Sequence, residues 1–271
     1  MATRIQTSAT SRPALGILLR HWRGMRGKSQ LELAMDTGVS QKHVSFVETG
    51  RSRPSRQMVV DLSDALAVPL RDRDEILLAA GYAPAFQPSD TSALSPELDR
   101  ALQRMLRQQE PYPALILDRY WNVVETNEAA PRFFEKFVDL QSIPRPRNLL
   151  HLVFDPNGLR PFLIDFSEAA RALLWRVRRE AIGGIIDYEI RKLLDDIAGY
   201  GVVPAEAIPE ESAETSVVPL KFRVGQKIIS MFSLVTTVGA PSTIAAEEMR
   251  LECMFPSDDA SEAAYCELVD R

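Results

Sequence analysis

The 271-residue chain has only two cysteines, Cys253 and Cys266, and three histidines, His21, His43 and His151. Two cysteines without a CxxC spacing form neither a disulfide framework nor a zinc knuckle. Three scattered histidines exclude a cupin-type metal cage, which needs several clustered together. No apolar run approaches the roughly 20 residues of a membrane span; the longest, residues 14–19 and 228–235, are short and flanked by charge. The N-terminal residues lack the apolar core and cleavage site of an export signal, so the expected compartment is the cytoplasm. No nucleophile, base and orienting group fall into one set, and Gly183-Gly184 lacks the wider pattern of a phosphate loop. What is present is average: 45% apolar and 25% charged residues, the balance of folded protein rather than of disordered or fibrous chains.

The net charge of -5 is unevenly placed. Residues 1–60 hold ten Lys/Arg against Glu32, Asp36 and Glu48, a net of +7, which leaves -12 on the remainder. A basic head on an acidic body directs the head to a polyanion and keeps the body away from it. A basic surface without a partner accounts for the charge equally well at this level.

The first 80 residues read as five short helices. Leu15, Leu18, Leu19 and Trp22 share one helical face. Ser29 caps a second helix with Glu32 three residues on, a capping box, and Thr37-Gly38 breaks it. Ser40 caps a third through Val44 and Val47, ending near Gly50. Pro54-Ser55 opens a fourth with Met58, Val59, Leu62 and Leu66 as its apolar stripe, and a fifth spans residues 74–80. Residues 82–96, with Pro84, Pro88, Pro96 and several serines, lack periodicity and read as a linker. The expected division is a head of 1–83, a linker of 84–96 and a body of 97–271. In the body, helices are expected at 96–109, 128–138, 162–181 and 187–198. Strands are expected at 114–117, 121–125, 217–224, 228–238 and 249–255, with Gly225-Gln226 as a hairpin turn. The segment from Ser257 to Glu262 reads as a surface acidic loop. The fold class is α+β overall: an all-α head, then a domain with an antiparallel sheet flanked by helices.

Helix, tight turn at Gly38, helix is the spacing of a helix-turn-helix, whose second helix lies in the major groove of double-stranded DNA. Its first residues here are Gln41, Lys42 and His43; Gln pairs with adenine and Lys donates to guanine. Ser45 reaches a phosphate or a base, and Phe46 either meets a thymine methyl or belongs to the core. Gln30, Arg51, Arg53 and Ser55 are of the types that hold phosphate. Specific binding by so small a domain calls for a homodimer on an inverted-repeat operator.

The segments Ser29-Gln30-Leu31-Glu32-Leu33-Ala34, Gly38-Val39-Ser40 and Val44-Ser45-Phe46-Val47-Glu48-Thr49-Gly50-Arg51 resemble the phage-repressor-like (XRE-type) helix-turn-helix family over roughly residues 14–80. The resemblance implies that Gln30 contacts phosphate, that Gln41, Lys42 and His43 read bases, and that Arg23 and Glu48 form a partly buried ion pair between helices. Lys28 stands where an apolar residue usually precedes the Ser-Gln pair, a departure that offers a further phosphate contact.

The body carries aromatic and methionine residues suited to an apolar cavity, among them Phe134, Phe166, Trp175, Phe222, Met231 and Met254. That they fill a solid core is the open alternative. Asn127, Arg147, Arg178 and Tyr188 are polar groups able to orient a ligand, or equally caps and surface residues. Pro113-Ala114-Leu115-Ile116-Leu117-Asp118, Trp121-Asn122-Val123-Val124, Asn127-Glu128-Ala129 and Asn148-Leu149-Leu150 look like the ligand-binding domain of MmyB-like transcription regulators. So do the closing segments from Ser233 to Pro241 and from Leu251 to Asp258. The resemblance spans about residues 97–268 and implies a PAS-like fold that binds a small hydrophobic molecule, with fatty acids as the class. Many relatives have Asp-Trp where this chain has Asp165-Phe166, and an Arg further along the helix that Arg176 or Arg178 matches.

The expected protein is a one-component transcription regulator: a DNA-binding head and a dimerising body that senses a small apolar effector, with no metal, no catalytic residues and no membrane partner. A body that serves as a ligand-free protein-interaction platform is the alternative, and an enzyme fused to a DNA anchor is the third reading.

Overall fold

The computed structural model describes residues 12–85, 94–180, 188–201 and 219–270. Two compact units divide the chain, residues 1–93 with 242–247 and residues 94–241 with 248–271. No described helix is long and apolar enough to cross a membrane.

The head holds α1 (Arg12–Met25), α2 (Gln30–Thr37), α3 (Gln41–Glu48), α4 (Arg56–Ala65) and α5 (Leu70–Ala79). α1 buries Leu15, Leu19 and Trp22 on one face, the period its apolar residues dictate. Gly16 lies on the same side: a Cβ there would stand 2.0 Å from the Glu48 carbonyl oxygen, so the close crossing of α1 and α3 depends on glycine. The capping box forms as the sequence predicts, with Ser29 Oγ accepting from the Glu32 amide and the Glu32 carboxylate accepting from the Ser29 amide. Gly38 ends α2 at φ 68°, a left-handed conformation that glycine adopts without steric cost. α5 begins four residues before the predicted start, because Pro69 supplies its N-cap. Two basic side chains close the C-terminus of α4. Arg26 donates to the Leu66 and Ala67 carbonyls, both at 2.8 Å, and Lys28 to the Ala65 carbonyl and the Asp36 carboxylate, both at 2.7 Å. These bonds satisfy orphan carbonyls at the negative end of the helix dipole. Lys28 is committed to them, which corrects the phosphate contact expected of it.

The second unit is built on a six-stranded antiparallel sheet in the order β2-β1-β6-β5-β4-β3. The strands are β1 (Ala114–Leu117), β2 (Val123–Thr126), β3 (Leu163–Ile164), β4 (Leu220–Val224), β5 (Lys227–Thr237) and β6 (Arg250–Pro256). β4 and β5 form the predicted hairpin about Gly225 (φ 58°) and Gln226. Period-2 alternation divides the side chains of β1: Leu115 and Leu117 join the main core, while Ala114 and Ile116 pack with Leu102 and Leu106 of α6 (Pro96–Gln108) on the opposite face. The main core gathers residues of α7 (Ala129–Phe134), α8 (Leu149–Phe154), α9 (Phe166–Glu180), α10 (Tyr188–Gly199) and α12 (Asp259–Val269).

Several boundaries differ from expectation. α9 starts at Phe166, because residues 160–162 form a single 3-10 turn, Leu163–Ile164 pair with β4, and Asp165 takes φ 54°. β2 starts at Val123 because Trp121 adopts φ 66°. The helix expected over 128–138 ends at Phe134. The acidic loop read at 257–262 contains instead the cap and first turn of α12: Asp258 accepts from the Ser261 amide at 2.7 Å, and the helix buries Ala264 and Tyr265 and rests Cys266 on the core. α8 and the short α11 (Ile244–Glu248) are additions. His151 is a satisfied, partly buried histidine, its Nδ1 lying 3.0 Å from the Tyr200 hydroxyl. The Gly183-Gly184 turn, residue 187 and residues 217–218 of the expected elements lie outside the described residues.

Candidate nucleic-acid interface and effector domain

Ser40 starts α3 by accepting the His43 amide, which leaves Gln41 and Lys42 exposed on the first turn. The positive end of the helix dipole stands behind them, favourable to an anionic partner. Phe46 is half-buried under two cations, the Lys42 ammonium 5.5 Å and the Arg51 guanidinium 6.0 Å from its ring centre. The ring thus positions both charges rather than filling the core. Ser45 is half-buried one position earlier, and the His43 Nε2 is shut from water without a hydrogen-bond partner.

Glu48 anchors the far end of α3. It is 2% exposed and accepts from Arg23 Nε at 2.7 Å, Arg23 Nη2 at 3.1 Å and Gln30 Nε2 at 2.9 Å. The ion pair implied by the family resemblance is therefore present and bidentate, the geometry that fixes direction as well as energy. It joins α1, α2 and α3, and Gln30 is turned by it toward Glu48. Arg51 is exposed. Arg53 donates to the Gly81 carbonyl at 3.3 Å and lies 5.2 Å from the centre of the Tyr82 ring, while Ser55 caps α4 by accepting from the Met58 amide at 3.2 Å. Gln41, Lys42, Phe46 and Arg51 are thus brought together; Gln30, Arg53 and Ser55 also serve the fold.

In the body, Phe134, Phe222, Met231 and Met254 are buried in one cluster and Phe166 packs at its margin. Asn127 is a cap: its Oδ1 accepts the Ala114 and Ala130 amides at 3.0 and 3.1 Å, and its Nδ2 donates to the Tyr112 carbonyl at 2.8 Å. Trp175 and Tyr188 stand outside that cluster, 48% and 73% exposed. Arg147 is bonded to the Leu140 carbonyl.

Residues 98–268, more than half the chain, match the model of the MmyB-like transcription regulator ligand binding domain. The chain belongs to the MmyB-like transcription regulators. Residues 14–76 match a helix-turn-helix domain model. Among solved structures, the crystal structure of the clp gene regulator ClgR from C. glutamicum is similar over 27% of this chain and 92% of its own, at 30% identity and a TM-score of 0.24. No curated protein matches. These are regulator families and not enzymes: the protein is a helix-turn-helix DNA-binding transcription regulator with an MmyB-like ligand-binding domain.

The regulator's ligand-binding domain also holds a group of charges that sequence reasoning missed. Arg176 of α9 meets Glu252 of β6 through two hydrogen bonds of 3.0 and 2.8 Å, and Arg119 meets Glu248 at 2.9 Å. Arg250, buried, adds a third guanidinium beside Trp121; Arg176 and Arg250 stand 4.7 and 4.3 Å from the centre of its ring. Burial pushes the Glu252 carboxyl up, but the Arg176 hydrogen bonds and charge, with Ser233 and Arg250, hold it below its ordinary value. These side chains lie in a buried setting, where charges are expensive unless paired, and their pairing ties α9 to β6. The signal was present in β6: Arg250, Glu252 and Met254 occur at period 2, so two charges share a strand face with a core methionine. An open cleft of about 410 Å³ in the head is lined by Lys28, Asp36, Thr37, Asp61, Asp64 and Ala65. Another of about 600 Å³ lies along residues 135–139 and Gln141 of the body.

Proposed function

We propose that the regulator is cytoplasmic and binds an inverted-repeat operator as a homodimer, with α3 in the major groove and its effector held in the body. The observation that carries the reading is the exposed pair Gln41 and Lys42 on the capped first turn of α3, backed by the Glu48 anchor. In this assignment Gln41 reads adenine, Lys42 reads guanine, and His43 and Ser45 complete the base-facing side. Phe46 meets a thymine methyl, and Gln30, Arg51, Arg53 and Ser55 hold phosphates. Residues 1–83 are the DNA-binding domain, 84–96 a linker and 97–271 the effector and dimerisation domain. Two half-sites about one helical turn apart match a two-fold dimer.

For the effector, the composition of the inner sheet face supports an amphiphile, with fatty acids as the class. Phe222, Met231 and Met254 offer apolar surface with Phe134 and Phe166, and the Arg250 guanidinium beside Trp121, on the same face of β6, is of the type that holds a carboxylate. Phe137 borders the larger cleft and packs on Phe133, Phe162 and Phe222, at centroid distances of 5.2, 5.4 and 5.3 Å, which makes it the residue that would turn to admit a chain. Binding would shift the placement of the two heads and hence the fit to both half-sites. Mass spectrometry of the organic extract of the purified full chain tests the reading. A stoichiometric lipid that leaves in an Arg250→Ala variant is the expected result; an empty extract, with operator binding unaffected by added fatty acid, would favour a partner platform instead.

A further inference from the structure

The outer ridge of α9 departs from the charge of the domain that carries it. Ser167, Arg171, Trp175 and Arg179 follow one another at four-residue spacing and all are exposed, so they form one row along the helix. Trp175 is 48% exposed, whereas Trp22 and Trp121 are buried. The Arg179 guanidinium lies 4.5 Å from the centre of the Trp175 ring, so stacking already orders its fork of N–H donors for an anion. Among the described residues Arg171, Arg178 and Arg179 form no ion pair, although residues 61–271 carry a net charge of -12.

The geometry points to this row as a second DNA contact, docking on phosphates of the duplex that the head holds; the assignment rests on DNA binding by the head. A second copy of the chain is the wrong occupant, because two antiparallel α9 helices crossing at Trp175 bring Arg171 and Arg179 of the two copies face to face, a like-charge contact. A duplex has the complementary charge. The eight residue steps from Arg171 to Arg179 rise about 12 Å along a helix, comparable to the roughly 12 Å width of a major groove, so the two guanidinium groups can reach phosphates on both of its walls. Covalent attachment to a DNA-binding head supplies that duplex at high effective concentration, while the acidic remainder of the body is repelled and leaves the row as the favoured point of approach.

The test uses the full chain and a mixed-sequence duplex of about 40 base pairs at about 50–200 mM salt. Since Trp22 and Trp121 are buried, acrylamide-quenchable emission reports Trp175, and saturating duplex should protect it. The R171A/R179A double variant, checked for folding by circular dichroism, should lose two phosphate contacts per chain. Its salt slope then falls by about 1.8 for each bound chain, so that its affinity drops about twelvefold less per chain than wild type over that salt range. Superposed slopes with Trp175 equally quenchable in the complex overturn the assignment while leaving the head's role intact. Absence of any duplex binding overturns both. Protection of Trp175 by polyglutamate but not by duplex assigns the row to an acidic protein and refutes the DNA contact.

Discussion

Replacing Gly16 by alanine sets two effects of opposite sign against each other. Inside a helix, glycine is less favourable than alanine by about 0.5–1 kcal/mol, so on propensity alone the variant is stabilised. The structure reverses the sign. The new Cβ would stand 2.0 Å from the Glu48 carbonyl oxygen and 2.7 Å from its carbon, and both are backbone atoms that no rotamer change can move. α1 and α3 must therefore part by about 1 Å, which loosens the contacts around Leu15 and Leu19. Overpacking of this kind costs about 1–3 kcal/mol, and after the propensity gain a loss of about 1–2 kcal/mol remains, a 5–30-fold rise in the open population. Hydrogen exchange of the full chain, read on peptides from residues 12–85, measures this without interference from the body. Gly24→Ala is the control: it lies on the same helix with nothing within 4 Å, and should slow exchange slightly. If Gly16→Ala slows exchange as Gly24→Ala does, the close crossing is wrong, and with it the placement of α3.

Asn127→Ala strands two amides and a carbonyl at the start of the body, and should cost about 3 kcal/mol, or near 10 °C in the melting temperature; an unchanged melt would show that the cap is dispensable. Glu252 titrates below its ordinary 4.5 in the folded state, so the stability it contributes is complete above that value and is lost as pH falls through the folded pKa. Thermal melts between about pH 6 and 3 should therefore decline at the acid end, with a shallower decline for Glu252→Gln. Gln41→Ala should relax preference at one base pair by about 1–3 kcal/mol, with little change elsewhere. Arg53→Ala should weaken all duplexes alike and also destabilise the head, since Arg53 is bonded to Gly81; binding competition across single-base operator variants separates the two patterns.

The head was legible because its signals are local. A capping box, a glycine break and a four-residue apolar stripe need only neighbours in sequence, and Ser29, Gly38 and Ser40 sit where they were expected. The body was legible in its regular parts, such as the β4–β5 hairpin and α6, and less so where tertiary contacts override local preference. α8, Leu149–Phe154, is apolar except for His151 and buried everywhere but there, so it has no period to betray a helix. α12 was hidden behind the acidic start that caps it. The site followed the same division. Lys42 and Gln41 are named by their place on a helix, but Arg176, Arg250 and Glu252 come from α9 and β6, which are distant in sequence. Asn127 shows the converse error: polar and near apolar residues, it resembles a ligand anchor, yet every contact it makes is to backbone.

The strand order has a consequence for synthesis. β1 is bonded on one side to β2, which follows it almost at once, and on the other to β6, the last strand made, with Ala114 opposite Cys253. Until β6 leaves the ribosome the sheet exists as two separate pieces, β2-β1 and β5-β4-β3, with their edges open and the buried arginine pair incomplete. α1 to α5 need no such wait, since they meet within the first 80 residues. A nascent or prematurely terminated chain should thus present a finished DNA-reading head on a ligand-binding domain whose sheet is still in two pieces.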